Sequence, residues 1–255
     1  MSNPVFFAPA GSLDGMGPGS LFVLEGPEAR HAVTVKRLAV GEAVDITDGA
    51  GARLTGNVAE VAQGTLSVTA SAVEFEERPA VRLVLVQALA KGDRDELAIE
   101  TATELGIDAV VPWQAERSIV RWKGDRAAKA HAKWESVVAA AAKQARRSWI
   151  PEVRPVVDTA ALARAAGEAD LAVILHEAAK NSLRTILERA ALTGANDAPR
   201  EVLLIVGPEG GISPKEVTRL SDAGAVTALL GNHVLRSSTA GPAAVVLASD
   251  ILGRW

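Results

Sequence analysis

From Val81 onward, short apolar segments alternate with longer segments of helical character, and this alternation constrains the fold more than any other feature. The apolar segments are rich in Val, Leu and Ile, which is typical of strands buried on both faces. Five strands are predicted, with the sequences VRLVLVQAL, IDAVVPW, ADLAVILHEA, EVLLIVG and VTALLG. Strands that alternate with helices form parallel sheets covered by helices. This part of the chain is therefore predicted to be a parallel, doubly wound α/β domain.

The segments between these strands carry helix start and stop signals. A helix is predicted from Arg94 to Leu105, with Asp93 as its cap and Gly106 at its end. The other predicted helices span residues 127–147, 182–192 and 239–252, the last with Pro242 in its first turn, where proline is tolerated.

The first ~70 residues have a different pattern, in which apolar and polar residues alternate with a period of two over short segments. Leu21 to Leu24 is predicted as a strand and Pro27 to Leu38 as a helix. Three further strands are predicted in the sequences EAVDITDG, RLTGNVAEV and TLSVTASAVEF. This pattern indicates a small β-barrel or β-sandwich. The charged stretch EFEERPA marks a boundary, so domains are predicted at 1–74 and 75–255.

Composition excludes several classes of protein. The chain has 255 residues, 48% of them apolar, and a net charge of −4, so a nucleic-acid partner would need a local basic patch. It contains no cysteine, and its four histidines have no metal-like spacing, so no metal is expected. Neither a signal peptide nor a transmembrane run is recognisable. We expect a soluble, cytoplasmic protein with no membrane partner.

One predicted strand, Val202 to Val206, runs directly into Gly207-Pro208-Glu209-Gly210-Gly211. The next helix begins with Ser213, Pro214 and Glu216 in an S-x-x-E capping box. Ligands of α/β proteins bind just past the carboxyl ends of strands. The loop matches neither the Rossmann nor the P-loop pattern, and Glu209 would repel a phosphate. It therefore indicates a neutral or cationic ligand, or else a purely structural turn.

Two other predicted strands also end in glycine or polar residues, in ILHEA at 174–178 and LLGNHVLRSSTAG at 229–241. Together with VGPEGG at 206–211, they are expected to converge on one pocket at the carboxyl edge of the sheet.

At these loops the chain resembles a known family. GPEGG at 207–211, followed by LGNHVLRSSTAG at 230–241, is similar to the paired loops of SPOUT-class S-adenosylmethionine-dependent RNA methyltransferases. More narrowly, it resembles the bacterial small-subunit ribosomal RNA uracil-N3 methyltransferases. The resemblance extends over nearly the whole chain, through KGDRDELAIETATELGID, ERS, KQARRSWIP and, near the N-terminus, RHAVTVKRLAVGE. The chain departs from the family pattern at Thr101, His233 and Ser238.

This resemblance implies a C-terminal α/β domain tied in a deep trefoil knot and an N-terminal PUA-like, RNA-binding β-barrel. It implies a homodimer that uses S-adenosylmethionine to methylate N3 of a uridine in small-subunit (16S) ribosomal RNA or in the small ribosomal subunit. Two alternatives stay open: another SPOUT RNA methyltransferase, directed at tRNA or ribose, and a non-catalytic RNA-binding assembly factor.

The resemblance also implies roles for individual residues. Cofactor contacts are expected from Leu175, His176, Glu177, Gly207, Pro208, Glu209, Gly210, Gly211, Leu230, Gly231, Val234, Leu235, Arg236 and Ala240. RNA contacts are expected from Arg30, Lys36, Arg37, Lys91, Arg94, Arg117, Arg146 and Arg147, although each could singly be a solvated surface charge.

Arg236 is the predicted catalytic residue. An arginine is always protonated and cannot be the base, but it can stabilise negative charge on the uracil. The alternative is a structural salt bridge. Glu209 has two predicted roles, binding a ribose hydroxyl or ordering the loop, and His176 could be a bystander. The general base is left unassigned.

Overall fold

The computed structural model describes residues 3–190, 192 and 200–255, and the chain forms two compact units. The first comprises the chain up to Arg78 together with Ala142–Ile150, and the second comprises Pro79–Ala141 with Pro151–Trp255. The segment Ala142–Ile150 is thus separated in sequence from the rest of its unit.

The first unit is built on a five-stranded sheet. Its elements are β1 (Val5–Phe7), β2 (Leu21–Leu24), α1 (Gly26–Arg30), a π-helical turn (His31–Val35), β3 (Ala43–Thr47), β4 (Ala52–Ala62) and β5 (Thr65–Phe75). The strand order is β1-β3-β4-β5-β2, and all neighbours are antiparallel except β1 and β3. Alternate residues of β4, such as Leu54 and Val58, are buried in a core that also contains Phe6 and Val68. The period-two pattern follows from this one-sided burial.

The second unit contains a six-stranded parallel sheet. Its strands are β6 (Val81–Ala88), β7 (Ala109–Trp113), β8 (Glu152–Val153), β9 (Leu171–Leu175), β10 (Arg200–Val206) and β11 (Val226–Ala228), in the order β11-β9-β10-β6-β7-β8. The helices are α2 (Arg94–Glu104), α3 (Asp125–Gln144), α4 (Thr159–Glu168), α5 (Leu183–Arg189), α6 (Pro214–Asp222) and α7 (Ser237–Ile251).

The central strands explain the apolar runs. Every residue of β6 except Arg82 is buried, as are the last five residues of β10, because both strands have neighbours on either side and side chains packed on both faces. The predicted fold class, a parallel α/β domain preceded by a small PUA-like β domain, is confirmed by these units and by the structural relatives described below. The trefoil knot stays a prediction.

Two local predictions were wrong, and a third was right only in position. The helix expected over 27–38 is divided into α1 and the π-helical turn, and Arg37 beyond it has a left-handed φ of 55°. Asp93 is the N-cap residue of α2, as predicted, but it has a left-handed φ of 59° and its side chain forms no cap hydrogen bond. Pro242 lies in the second turn of α7 rather than the first, because that helix begins at Ser237.

Some element ends also differ. The helix predicted over 182–192 is observed as Leu183–Arg189, and residue 191 lies outside the described residues. Strands β1 and β8 were missed because they are three and two residues long, too short to show a period. Helix α4 was also missed, although its Asp158 cap accepts a hydrogen bond from Ala161 N at 2.7 Å.

Candidate functional site

A cleft of about 730 Å³ opens at the carboxyl ends of β9, β10 and β11, which are neighbours in the sheet. The loops that leave these strands converge there, as predicted from the glycine and polar residues at the three strand ends. All the predicted cofactor residues line it: Leu175, His176, Glu177, Gly207, Pro208, Glu209, Gly210, Gly211, Leu230, Gly231, Val234, Leu235, Arg236 and Ala240. Arg94 and Arg117, predicted as RNA contacts, line the same cleft.

The glycines of the 207–211 loop are needed for its shape. A Cβ on Gly207 would lie 2.5 Å from Ile212 Cγ1, and Gly211 has a left-handed φ of 72°. A Cβ on Gly210 would lie 3.3 Å from the Cβ of Arg117, so any larger side chain would meet that arginine. The loop is therefore tightly packed on its protein side, and its other side lines the cleft.

Glu209 joins this loop to the loop that follows β6. Its Oε1 accepts hydrogen bonds from Lys91 N at 3.2 Å and from Arg94 Nη1 at 3.0 Å. The carboxylate therefore orders two loops of the cleft and offsets the charge of Arg94. Of its two predicted roles, loop ordering accounts for these contacts, whereas the ribose contact stays a prediction.

Arg117, from the loop after β7, also contacts the 207–211 loop. Its Nη1 donates to the carbonyl of Gly210 at 2.9 Å. Its side chain is exposed, and within the described chain its only hydrogen bond is this one. Arg117 therefore keeps most of its donors and its full charge at the cleft.

A buried polar network holds the Arg117 loop in place. Glu216, 5% exposed, accepts from Glu116 N at 2.8 Å, from Thr159 Oγ1 at 2.7 Å and from Ser213 N at 3.1 Å. Ser213 Oγ donates to Glu116 Oε2 at 2.6 Å. The sequence predicted only the capping-box role of Glu216, which is present. No pattern in the neighbouring sequence predicts its contacts with Glu116 and Thr159, which are 100 and 57 positions away.

Arg236 is the N-cap residue of α7, and its side chain is exposed at the cleft. Its carbonyl accepts hydrogen bonds from Thr239 N at 2.9 Å and Ala240 N at 3.0 Å, which starts the helix. Among the described residues its guanidinium forms no ion pair, so the structural salt bridge finds no support there. The nearby Ser237 Oγ is buried without a hydrogen-bond partner in the described part of the chain.

His176 lies at the end of β9, where its Nδ1 accepts a hydrogen bond from Ala178 N at 3.1 Å. This contact orders the turn after the strand, so the side chain has a local structural role at the cleft. The three positions that depart from the family pattern are Thr101, within α2, His233, which lines the cleft, and Ser238, in the first turn of α7.

The remaining basic residues divide between the two units. Lys91 is in the second unit, where its backbone N–H donates a hydrogen bond to Glu209. The first unit contains Arg30, Lys36, Arg37, Arg146 and Arg147, because Ala142–Ile150 belongs to it. All of these side chains are exposed except that of Arg147, which is half-buried.

No helix in the part of the chain that the structure covers is long and apolar enough to cross a membrane. Over the same residues, no group of three or more His, Cys, Asp or Glu side chains could hold a metal ion.

The fold and the cleft define an α/β protein with a small-molecule site at the carboxyl ends of parallel strands. A family model described as "RNA methyltransferase domain" matches residues 76–249, and one described as "RNA methyltransferase PUA domain" matches residues 24–69. The chain belongs to the RNA methyltransferase family and, within it, to the ribosomal RNA small subunit methyltransferases E.

Individual relatives agree with this assignment. Ribosomal RNA small subunit methyltransferase E of Mycobacterium bovis is 42% identical over 93% of this chain and 89% of its own length. The Bacillus subtilis protein of the same name is 30% identical over 86% of each chain. The Neisseria gonorrhoeae enzyme of that name, solved with S-adenosylmethionine bound, has a TM-score of 0.80 and 25% identity over 98% of each chain. A Legionella pneumophila methyltransferase, also solved with this cofactor, has a TM-score of 0.81 and 28% identity over 98% of each chain.

Proposed function

We propose that this protein transfers the methyl group of S-adenosylmethionine to N3 of a uridine in small-subunit ribosomal RNA. The observation that carries the proposal is the cleft itself, where the loops after β9, β10 and β11 bring every predicted cofactor residue together. The two solved relatives named above hold the same cofactor on a similar fold.

The lining of the cleft fits S-adenosylmethionine. Val234 is 77% exposed and Leu235 is 36% exposed, so apolar surface is available to cover an adenine ring. The 207–211 loop presents its backbone to the cleft, because the Cβ positions of Gly207 and Gly210 face Ile212 and Arg117 instead, and this suits close approach by the ribose and methionine parts. When bound, the cofactor supplies a methyl group already activated on a sulfonium, so orientation of the uracil dominates the rate.

Arg236 is the residue we assign to charge stabilisation. Uracil N3 carries a proton that must leave before or during methyl transfer, and negative charge then spreads over N3, O2 and O4. A guanidinium stays protonated and can stabilise that charge from the exposed position that Arg236 occupies. The proton acceptor is not assigned.

RNA binding involves both units in this proposal. The PUA-like domain at 1–74 and the methyltransferase domain at 75–255 supply the predicted phosphate contacts, namely Arg30, Lys36, Arg37, Lys91, Arg94, Arg117, Arg146 and Arg147. Phosphate contacts orient the nucleic acid, and the flipped base then enters the cleft. We further propose that the protein acts in the cytoplasm as a homodimer.

Transfer of labelled methyl groups to small ribosomal subunits that lack the modification tests the activity. Liquid chromatography with mass detection of the digested RNA, run against standards of the isomeric methyluridines, identifies the methylated atom. Arg236→Ala should lower the rate by roughly 10²-fold or more, as loss of one electrostatic stabiliser does. Cofactor binding, measured by calorimetry, should survive, weakened at most by loss of the contact that Arg236 itself makes.

Each rival gives a different result in these assays. Absence of transfer by the parent protein favours the non-catalytic assembly factor, and methylation of ribose or tRNA favours another enzyme of the same fold. Loss of cofactor affinity or of folding in Arg236→Ala would instead assign this arginine a structural role.

A further inference from the structure

Helix α7 begins at the cleft without a side-chain cap. Its N-cap residue, Arg236, has no acceptor in its side chain and forms no cap hydrogen bond. By contrast, α4, α5 and α6 are each capped by a side-chain oxygen, from Asp158, Ser182 and Ser213 respectively. The first N–H groups of α7 therefore lack the partner that a capping side chain usually supplies.

Two backbone donors are left over at this end of the helix. The N–H groups of Thr239 and Ala240 already donate to the carbonyl of Arg236, at 2.9 and 3.0 Å. Those of Ser237 and Ser238 have no hydrogen bond to any residue that the structure describes. The N-terminus of a helix also carries positive partial charge from the helix dipole, so it attracts an oxygen with negative charge.

The side chain of Ser237 is a third donor without a partner. The residue is 9% exposed and lines the cleft, and its buried Oγ has no hydrogen-bond partner in the described part of the chain. A buried hydroxyl without a hydrogen bond destabilises the fold, and alanine would avoid that cost. Because Ser237 lines the cleft, a rotation about χ1 can present its hydroxyl to a ligand there. The hydroxyl therefore finds its partner when a ligand binds.

The charged side chains around the cleft leave the start of α7 positive. The exposed guanidinium of Arg236 adjoins it, and the first turn of α7 contains no acidic residue. Of the two carboxylates that line the cleft, Glu177 and Glu209, the second is paired with Arg94 at 3.0 Å. This end of the cleft therefore suits a negatively charged oxygen better than the positively charged sulfonium.

We propose that the N-terminus of α7 is an oxyanion site, in which Ser237 Oγ and the N–H groups of Ser237 and Ser238 bind a carbonyl oxygen of the target uracil. The uracil N3 proton passes finally to solvent, and the negative charge spreads to O2 and O4. The N3 electron pair forms the bond to the methyl carbon as the C–S bond breaks and its electron pair stays on sulfur. Donors held in place before the reaction stabilise such a charge without reorganisation. The proposal rests on the proposed function, since it names what holds the base in that reaction.

The cofactor brings a second anion into the same cleft, the carboxylate of its methionine part. The two anions differ in when their charge is present. The carboxylate is charged throughout, so a site for it would contribute to cofactor affinity. The uracil oxygen gains its full charge only during the reaction, so a site for it acts on the rate of the chemical step.

Ser237→Ala in the full-length protein tests the proposal, with small ribosomal subunits that lack the modification as substrate. The kcat should fall roughly 10²-fold, as it does when one oxyanion donor is lost. The KM for subunits and the calorimetric Kd for S-adenosylmethionine should stay close to those of the parent. The melting temperature should equal or exceed that of the parent, because a buried hydroxyl without a partner is removed. Ser237→Thr keeps the hydroxyl and should keep most of the rate.

Ser249→Ala is the matched control. Ser249 lies in the same helix and is 1% exposed, and its Oγ likewise has no hydrogen-bond partner among the described residues, but it does not line the cleft. Its replacement should leave kcat and the cofactor Kd unchanged and should not lower the melting temperature.

Three outcomes overturn the proposal. One is a folded Ser237→Ala protein with the kcat of the parent, and another is an equal loss of rate in Ser249→Ala. The third is a loss that falls on cofactor affinity, because the site would then hold the methionine carboxylate. If the parent methylates N3, each of these refutes only the oxyanion site. If the parent transfers no methyl group to subunits, the proposed function fails and the oxyanion site falls with it.

Discussion

Glu216→Ala should be among the most damaging single substitutions in the second unit, although this residue lies outside the cleft lining. Its carboxylate accepts three hydrogen bonds, at 2.7 to 3.1 Å, from Glu116 N, Thr159 Oγ1 and Ser213 N, and the side chain is 5% exposed. A buried group left without its partner costs about 1–3 kcal/mol. Because some of the three donors can reach water after truncation, we expect a total loss of about 3–5 kcal/mol.

For a chain of this length, each kcal/mol lowers the melting temperature by about 2–4 °C, so Glu216→Ala should melt roughly 6–20 °C below the parent. Differential scanning calorimetry measures this shift. The substitution should also weaken S-adenosylmethionine binding, because the Glu116 loop carries Arg117, which donates to the Gly210 carbonyl. Glu216→Gln keeps the side-chain shape and one acceptor, so its effect should be intermediate.

Asp158→Ala is the control for loss of a cap alone. Asp158 is exposed and accepts one bond, from Ala161 N, so its removal should cost about 1 kcal/mol. The reasoning is refuted if Glu216→Ala loses no more stability than Asp158→Ala, because the network contacts would then contribute nothing beyond the cap.

Gly207, Asp95 and Arg254 each allow a further test of the structure. Gly207→Ala places a Cβ 2.5 Å from Ile212 Cγ1, so it should lower both the melting temperature and the cofactor affinity; an unchanged affinity in calorimetry would contradict the pocket assignment. Burial raises the pKa of Asp95 above its usual 3.8, so the folded state binds a proton more readily than the unfolded state. The parent should therefore gain stability relative to Asp95→Asn as pH falls through the raised pKa toward 3.8, and urea unfolding at several pH values would show the opposite slope if the reasoning is wrong. Arg254→Met should cost about 3–5 kcal/mol in chemical denaturation, because it leaves Asp108, which Arg254 contacts at 2.7 Å and whose side chain is only 9% exposed, without its cation. A loss below about 1 kcal/mol would show that water replaces the pair.

The sequence by itself determined most of the elements of the α/β unit, all but β8 and α4, and where its cleft would form. Short apolar runs rich in β-branched residues, such as 202–206, are typical of buried strands, and the capping box at Ser213 and Glu216 defines the next helix. Because the carboxyl ends of parallel strands share one edge, three strands followed directly by glycine or polar residues were enough to predict which loops meet. The knot and the roles of single residues came from family resemblance, and they stay predictions where no contact tests them.

Only the tertiary structure decided how that cleft is held together. Three contacts join residues about a hundred positions apart in the chain: Glu209–Arg94, Arg117–Gly210 and Glu216–Glu116. Each involves a polar side chain of a type that is also common on protein surfaces, so its residue type does not indicate a partner. Their partners depend on how neighbouring strands order in the sheet, which local periodicity does not encode. The grouping of Ala142–Ile150 with the first unit has the same origin. The left-handed backbone of Arg37 is a further feature that the sequence does not show, because local propensity would have favoured glycine at the end of the π-helical turn.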